Sequence, residues 1–309
     1  MLKHKKSLSS LFLILALLTT NISVFASEPT YNDKQLFVAN ILSTTDNQKT
    51  INVDSQKNIN EALMKYASND ISGVLAIIND SSVPMVAAST NNNRTSYEIL
   101  EDYLNANNVY IYSCETSSVT NSRSVGSTDV QMNRVIISYN SNNNTWSVTG
   151  GGYWITNSYE DDAPSPSLFF GARDVGGHDA VGFALINTSG TIPTLISSSG
   201  YVHDGNGSSM NLTNPYNSDS SVGLVFQYQD EVYFSDNLEE TWYMGYGFAA
   251  QGIYGSDFSN YHGKARSYYA HTWEDCAINS IGISADGFSA SWSHSAYGWE
   301  IYNNSDVNF

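Results

Sequence analysis

The stretch VGLVFQYQDEVYFS, residues 222–235, decides the fold class. Val222, Leu224, Phe226 and Tyr228 recur at every second position, the period of a strand with one buried face rather than the 3.6 of a helix. Trp242, Met244, Tyr246 and Phe248 form a second alternating set, and Phe288, Ala290 and Trp292 a third. Around them lie further short runs rich in β-branched and aromatic residues. They cover Arg134–Tyr139, Thr145–Thr149, Tyr153–Thr156, Ser167–Gly171, Ala180–Ile186, Thr191–Ser197, Val232–Ser235, Ala265–Trp273, Ile278–Ser284 and Trp299–Tyr302. Gly, Asn, Ser and Asp clusters separate them. Many short strands with regular turn signals predict a mostly antiparallel all-β sandwich, jelly-roll-like, over residues 130–309. Sheets with one dry and one wet side are expected. No period of repeat length recurs, which argues against a propeller or solenoid.

Upstream, the pattern differs. Asn58 or Asn60 can cap a helix carrying Ile59, Leu63, Met64 and Tyr66, and Thr95 or Ser96 can cap another carrying Tyr97, Leu100, Tyr103 and Leu104. Val74–Ile78, Val83–Ala88 and Val109–Tyr112 read as strands. Residues 27–114 are therefore expected to form a small α/β or α+β domain, or a propeptide trimmed on export. The Ser/Thr-rich run ETSSVTNSRSVGSTD, residues 115–129, reads as a linker.

The first 26 residues carry Lys3, Lys5 and Lys6, then the apolar run Leu11–Leu18, then Val24-Phe25-Ala26. That order is the signature of a cleavable secretory signal, and the apolar run is far short of the ~20 residues a spanning helix needs. The expectation is a secreted, extracellular protein without a transmembrane segment after cleavage. Three of the 13 Lys and Arg precede Ser27 and none of the 30 acidic residues does. The mature chain thus sets ten basic groups against 30 acidic ones, a net charge of −20. Such a field repels polyanions, which argues against nucleic acid as a partner. With 13% aromatic and 14% charged residues the chain is unlike a disordered one. Its general style resembles secreted proteins of Gram-positive bacteria, a likeness that carries no site. Cys114 and Cys276 are an even pair in an exported chain, so a disulfide and two free thiols are both open readings.

Catalytic motifs are absent. There is no Gly-x-Ser-x-Gly elbow and no His-Glu-x-x-His. Gly150-Gly151-Gly152 and Gly176-Gly177 lack the following Lys-Ser/Thr or helix of a phosphate loop. His262 and His271 could meet across a hairpin near Asp257 or Glu274 as a metal site. Asp204, Asn206 and Ser208 alternate along a glycine-rich loop like the opening of a calcium site, but Pro215 stands where the closing Glu belongs, and turn chemistry explains the loop as well. Calcium is thus the one cofactor to consider. Asp230, Glu231, Glu274 and Glu300 are carboxylates in aromatic company that could serve glycoside hydrolysis. Tyr243, Tyr268, Tyr269 and Tyr297 are expected on open sheet faces, where rings stack on sugars or peptides. The leading reading is a non-catalytic binding or surface-associated protein recognising a glycan, cell-wall polymer or partner protein. A carbohydrate-active hydrolase and a pore-forming toxin or bacteriocin are the alternatives.

Overall fold

Asp70 decides the local structure of the chain that follows it. Its Oδ1 accepts a hydrogen bond from the Gly73 backbone N–H at 2.9 Å, an N-cap that satisfies one of the free donors at a helix start. The apolar run Val74–Ile78, expected as a strand, is accordingly helical. In this computed structural model the described residues are 33–44, 53–81, 94–113, 124–125, 129–157, 171–234, 240–295, 297–303 and 305–309. Val83–Ala88, expected as a strand, lies outside them.

Four helices are found among the described residues: α1 (Asp33–Thr44), α2 (Val53–Ala67), α3 (Ile71–Asp80) and α4 (Ser96–Ala106). In α3, Val74 and Ile78 lie one turn apart on the buried side. Helix α4 starts in a full capping box, with Thr95 and Glu98 each bonding the other's backbone N–H.

The remainder is antiparallel sheet. The first sheet runs in the order β1 (Val109–Ser113), β3 (Val130–Asn140), β4 (Thr145–Trp154), β11 (Gly247–Tyr254), β6 (Leu195–His203) and β7 (Ser209–Leu212). The second runs β10 (Glu240–Met244), β9 (Gly223–Phe234), β5 (Gly171–Gly190), β12 (Tyr261–Thr272), β15 (Gly298–Tyr302) and β2 (Ser124–Val125). Two short strands join it, β8 (Asn217–Asp219) on β9 and β16 (Val307–Asn308) on β12. β13 (Ile278–Ser284) and β14 (Gly287–Trp292) form a separate hairpin. Neither large sheet closes on itself.

One core fills the space between the two sheets. Val135, Ile137 and Val148 from the first meet Val181, Phe183, Leu224 and Phe226 from the second, and Phe248 stacks on Tyr269 with ring centroids 3.9 Å apart. The expectation of wet outer faces does not hold where other elements cover them. Helices α2–α4 bury Ile59, Leu63, Val74 and Leu100 together with Ile136, Tyr201 and Ala249 of the first sheet. The β13–β14 hairpin packs Ile281 on Ala180, Val225 and Ala270 of the second.

The alternation through Trp242, Met244, Tyr246 and Phe248 does not mark one strand. A turn at Gly245 and Tyr246 splits it, sending β10 to the second sheet and β11 to the first. Tyr31–Phe309 form one compact unit, which takes in the described residues of the domain expected at 27–114. Its helices share a core with the strands, and β1 is an edge strand of the first sheet, paired with β3. Most of the expected linker lies outside the described residues, and Ser124–Val125 within it pairs with β15.

Candidate functional site

Adjacent strands β9, β5 and β12 of the second sheet each place one carboxylate or imidazole side chain in the core. Alternation aims Phe226, Tyr228, Asp230 and Val232 of β9 inward, with Asp179 and Val181 of β5 and Tyr269 and His271 of β12. Asp179, Asp230 and His271 are all 0% exposed. His271 Nδ1 stands 2.9 Å from Asp179 Oδ2 and 3.9 Å from Asp230 Oδ2. The candidate ligand atoms of the three residues lie within 4.8 Å of one another.

Hydroxyl and backbone donors fix the carboxylates. Tyr243 donates to Asp230 Oδ2 at 2.6 Å, Tyr269 donates to Asp179 Oδ2, and the Thr272 N–H donates to Asp179 Oδ1 at 2.9 Å. Asp230 Oδ1 has no hydrogen-bond partner. Burial, then the neighbouring charge of Asp179, pushes the Asp230 carboxyl well above the usual carboxylate range. Burial followed by the aspartate charges likewise raises the Tyr228, Tyr243 and Tyr269 hydroxyls, so that Tyr243 and Tyr269 stay protonated donors.

Indole rings wall the cluster. Trp154 of β4 meets His271 edge-on at 5.1 Å, Trp299 lies at 5.3 Å, and Trp273 stacks on the imidazole at 5.8 Å. On the remaining side β5 bulges between Asp174 and His178. Gly176 in that bulge has φ +56°, and a Cβ there would come within 2.6 Å of Trp273 Cα. Gln229 Nε2 ties the bulge down by donating to Val175 O and Gly177 O, each at 3.2 Å.

The aromatic platform expected from the sequence does not form. Tyr243 and Tyr269 belong to the buried cluster, and Tyr268 is 4% exposed, stacked on Phe288 at 5.1 Å. Tyr297 is the exposed member, set against Trp273 at 6.1 Å. His262 and His271 stand near opposite ends of β12, so no hairpin brings them together. Asp204 Oδ1 accepts the backbone N–H groups of Asn206 at 2.8 Å and Ser208 at 2.9 Å, which is turn chemistry. Cys276 holds a free, buried thiol 3.2 Å from His294 O, and Cys114 lies outside the described residues.

Of the four carboxylates singled out in the sequence, only Asp230 enters the cluster. Glu231 follows it on the opposite face of β9, Glu274 is exposed, and Glu300 accepts the Ala290 N–H at 3.1 Å under the hairpin, where burial raises its carboxyl. Asp179 was missed. It stands one position before the expected strand Ala180–Ile186, and only strand pairing brings it beside residues 51 and 92 positions away.

A second polar group binds helices to sheet. Lys65 Nζ donates to Tyr201 Oη at 2.6 Å and to Asp70 Oδ2 at 3.0 Å, and Tyr201 donates to Asp70 Oδ2 at 2.7 Å. His203, also buried, accepts the Gly205 N–H on Nδ1 at 3.0 Å. That leaves Nε2 protonated, facing Ser68 O at 2.9 Å.

The chain matches no known protein family model and no curated protein. Among the described residues no helix is long and apolar enough to cross a membrane.

Proposed function

We propose that this chain is a secreted, non-catalytic binding protein, a jelly-roll-like β-sandwich that recognises a glycan, cell-wall polymer or partner protein outside the cell. The observation that carries this reading is the sealing of the reactive groups. Asp179, Asp230 and His271 are 0% exposed behind Trp154, Trp273 and Trp299, whereas turnover needs a concave site open to substrate. Export rests on the leader at 1–26. The acidic balance suits a neutral or cationic ligand. Tyr297, 39% exposed beside Trp273, is the contact residue this reading favours.

The test exposes the mature chain, residues 27–309, to glycan arrays and insoluble cell-wall fractions while soluble products are analysed. Binding without bond cleavage is expected, weakened about tenfold by Tyr297→Ala, the loss of one stacking ring. Release of reducing sugar would replace this reading with a paired-carboxylate hydrolase. That second reading draws its support from the meeting of Asp179 and Asp230, and Asp230→Asn should then abolish the release.

A further inference from the structure

We infer that Asp179, Asp230 and His271 form a structural binding site for a divalent first-row transition ion. The cluster poses a charge problem that its protein partners leave open. Two carboxylates lie at 0% exposure, and among the described residues the ion pairs they make are both with His271 and none is with Lys or Arg. Holding two carboxylates side by side in the core costs several kcal/mol per ion, a cost that a bound cation offsets. A divalent cation takes the place of the protons such groups hold without it, because metal ligands bind in their deprotonated forms.

A second observation marks where the cation sits. Asp230 Oδ1 is fully buried and has no hydrogen-bond partner, although Oδ2 of the same group is held by Tyr243 at 2.6 Å. Buried carboxylate oxygens are ordinarily satisfied, so an orphan one marks the place of a missing partner. The separations agree. Atoms bound to one metal at about 2.0–2.2 Å stand roughly 3–4.4 Å apart, and one ligand atom from each of the three residues lies within 4.8 Å of the others; the 2.9 Å hydrogen bond between His271 Nδ1 and Asp179 Oδ2 gives way when the ion binds.

Tyr243, Tyr269 and the Thr272 N–H occupy the outer positions that orient metal-binding carboxylates. One imidazole with two carboxylates, in a dry aromatic surround, favours zinc, manganese or iron over calcium, which prefers six or more oxygens. The Asp204 loop lacks this second mark, since its carboxylate already serves backbone N–H groups.

The experiment measures metal in the mature chain secreted into medium containing zinc and manganese salts and purified without chelator. About one equivalent per chain is expected. Asp230→Asn and His271→Gln should each lower it at least tenfold, and Asp204→Asn should leave it unchanged. Because either core variant could fail to fold, protein produced with cobalt(II) gives an independent reading. Visible d–d bands without a sulfur charge-transfer band mark nitrogen and oxygen ligands. A wild-type chain that emerges free of zinc, manganese and cobalt overturns the site, as does loss of the metal in Asp204→Asn with retention in Asp230→Asn. The outcome is independent of whether any glycan is bound.

Discussion

Lys34 is the most unusual single residue outside the carboxylate cluster. It is 1% exposed, its Nζ donates to Phe258 O at 2.8 Å and also to Tyr261 O, and it stands 4.5 Å from the Phe258 ring centroid and 4.9 Å from that of Phe309. Burial lowers its ammonium to about 7. The unfolded chain, with an ordinary lysine near 10.4, binds more protons than the folded one between these values. Stability therefore rises with pH from about 7 to about 10, and below 7 the whole cost of charging the buried amine is present. Hydrogen exchange of the α1 amides, corrected for intrinsic rates, should slow across that window in the wild type. In Lys34→Met the corrected protection should stay flat.

Asp70 shows the opposite linkage. Burial pushes its carboxyl up, but hydrogen bonds from Tyr201, Lys65 and the Gly73 N–H outweigh it and hold the group at about 2. The stabilisation is complete above the unfolded value near 4 and is lost as pH falls from there to about 2. Asp70→Asn should cost about 1–3 kcal/mol at neutral pH in urea unfolding and flatten the acid limb of the stability profile.

Helix α3 tests whether propensity or contact wins at the scale of an element. Ala for Gly inside a helix ordinarily gains about 1 kcal/mol. At Gly73 a Cβ would lie 2.2 Å from Asp70 Oδ2 and 2.7 Å from its Cγ, so the cap and its ties to Lys65 and Tyr201 must shift. We expect Gly73→Ala to destabilise by about 1–2 kcal/mol, the cap outweighing the propensity. A gain in the urea midpoint would show that Asp70 can move freely. This helix was hidden in the sequence because Val74-Leu75-Ala76-Ile77-Ile78 is short, apolar and β-branched, and a five-residue run has no resolvable period. The Thr95 cap of α4 was legible, since a polar side chain before spaced Tyr97, Leu100 and Leu104 is a local signal. The break at Gly245 was not. A strand that turns a corner between sheets keeps its alternation on both sides.

For the whole molecule, the shared core of helices and first sheet predicts a single cooperative unit. Far-ultraviolet circular dichroism and tryptophan fluorescence should report coincident urea transitions for residues 27–309. A fragment of residues 130–309 would expose Ile136, Tyr201 and Ala249, which the helices now bury. It should bind hydrophobic dye and precipitate. Cooperative folding of that fragment would instead make the helices a dispensable cover.

The sequence by itself determined the antiparallel strand character, the capped α4, the strongly acidic balance and which residues of a strand share a face. Each of these depends on neighbours a few positions apart. The burial of Tyr243, Tyr268 and Tyr269, and the meeting of Asp179, Asp230 and His271, were decided only by tertiary structure. A period of two says that a side chain faces one way. It says nothing of which strand lies beside it or in what register, because those are fixed by pairing between segments far apart in the chain.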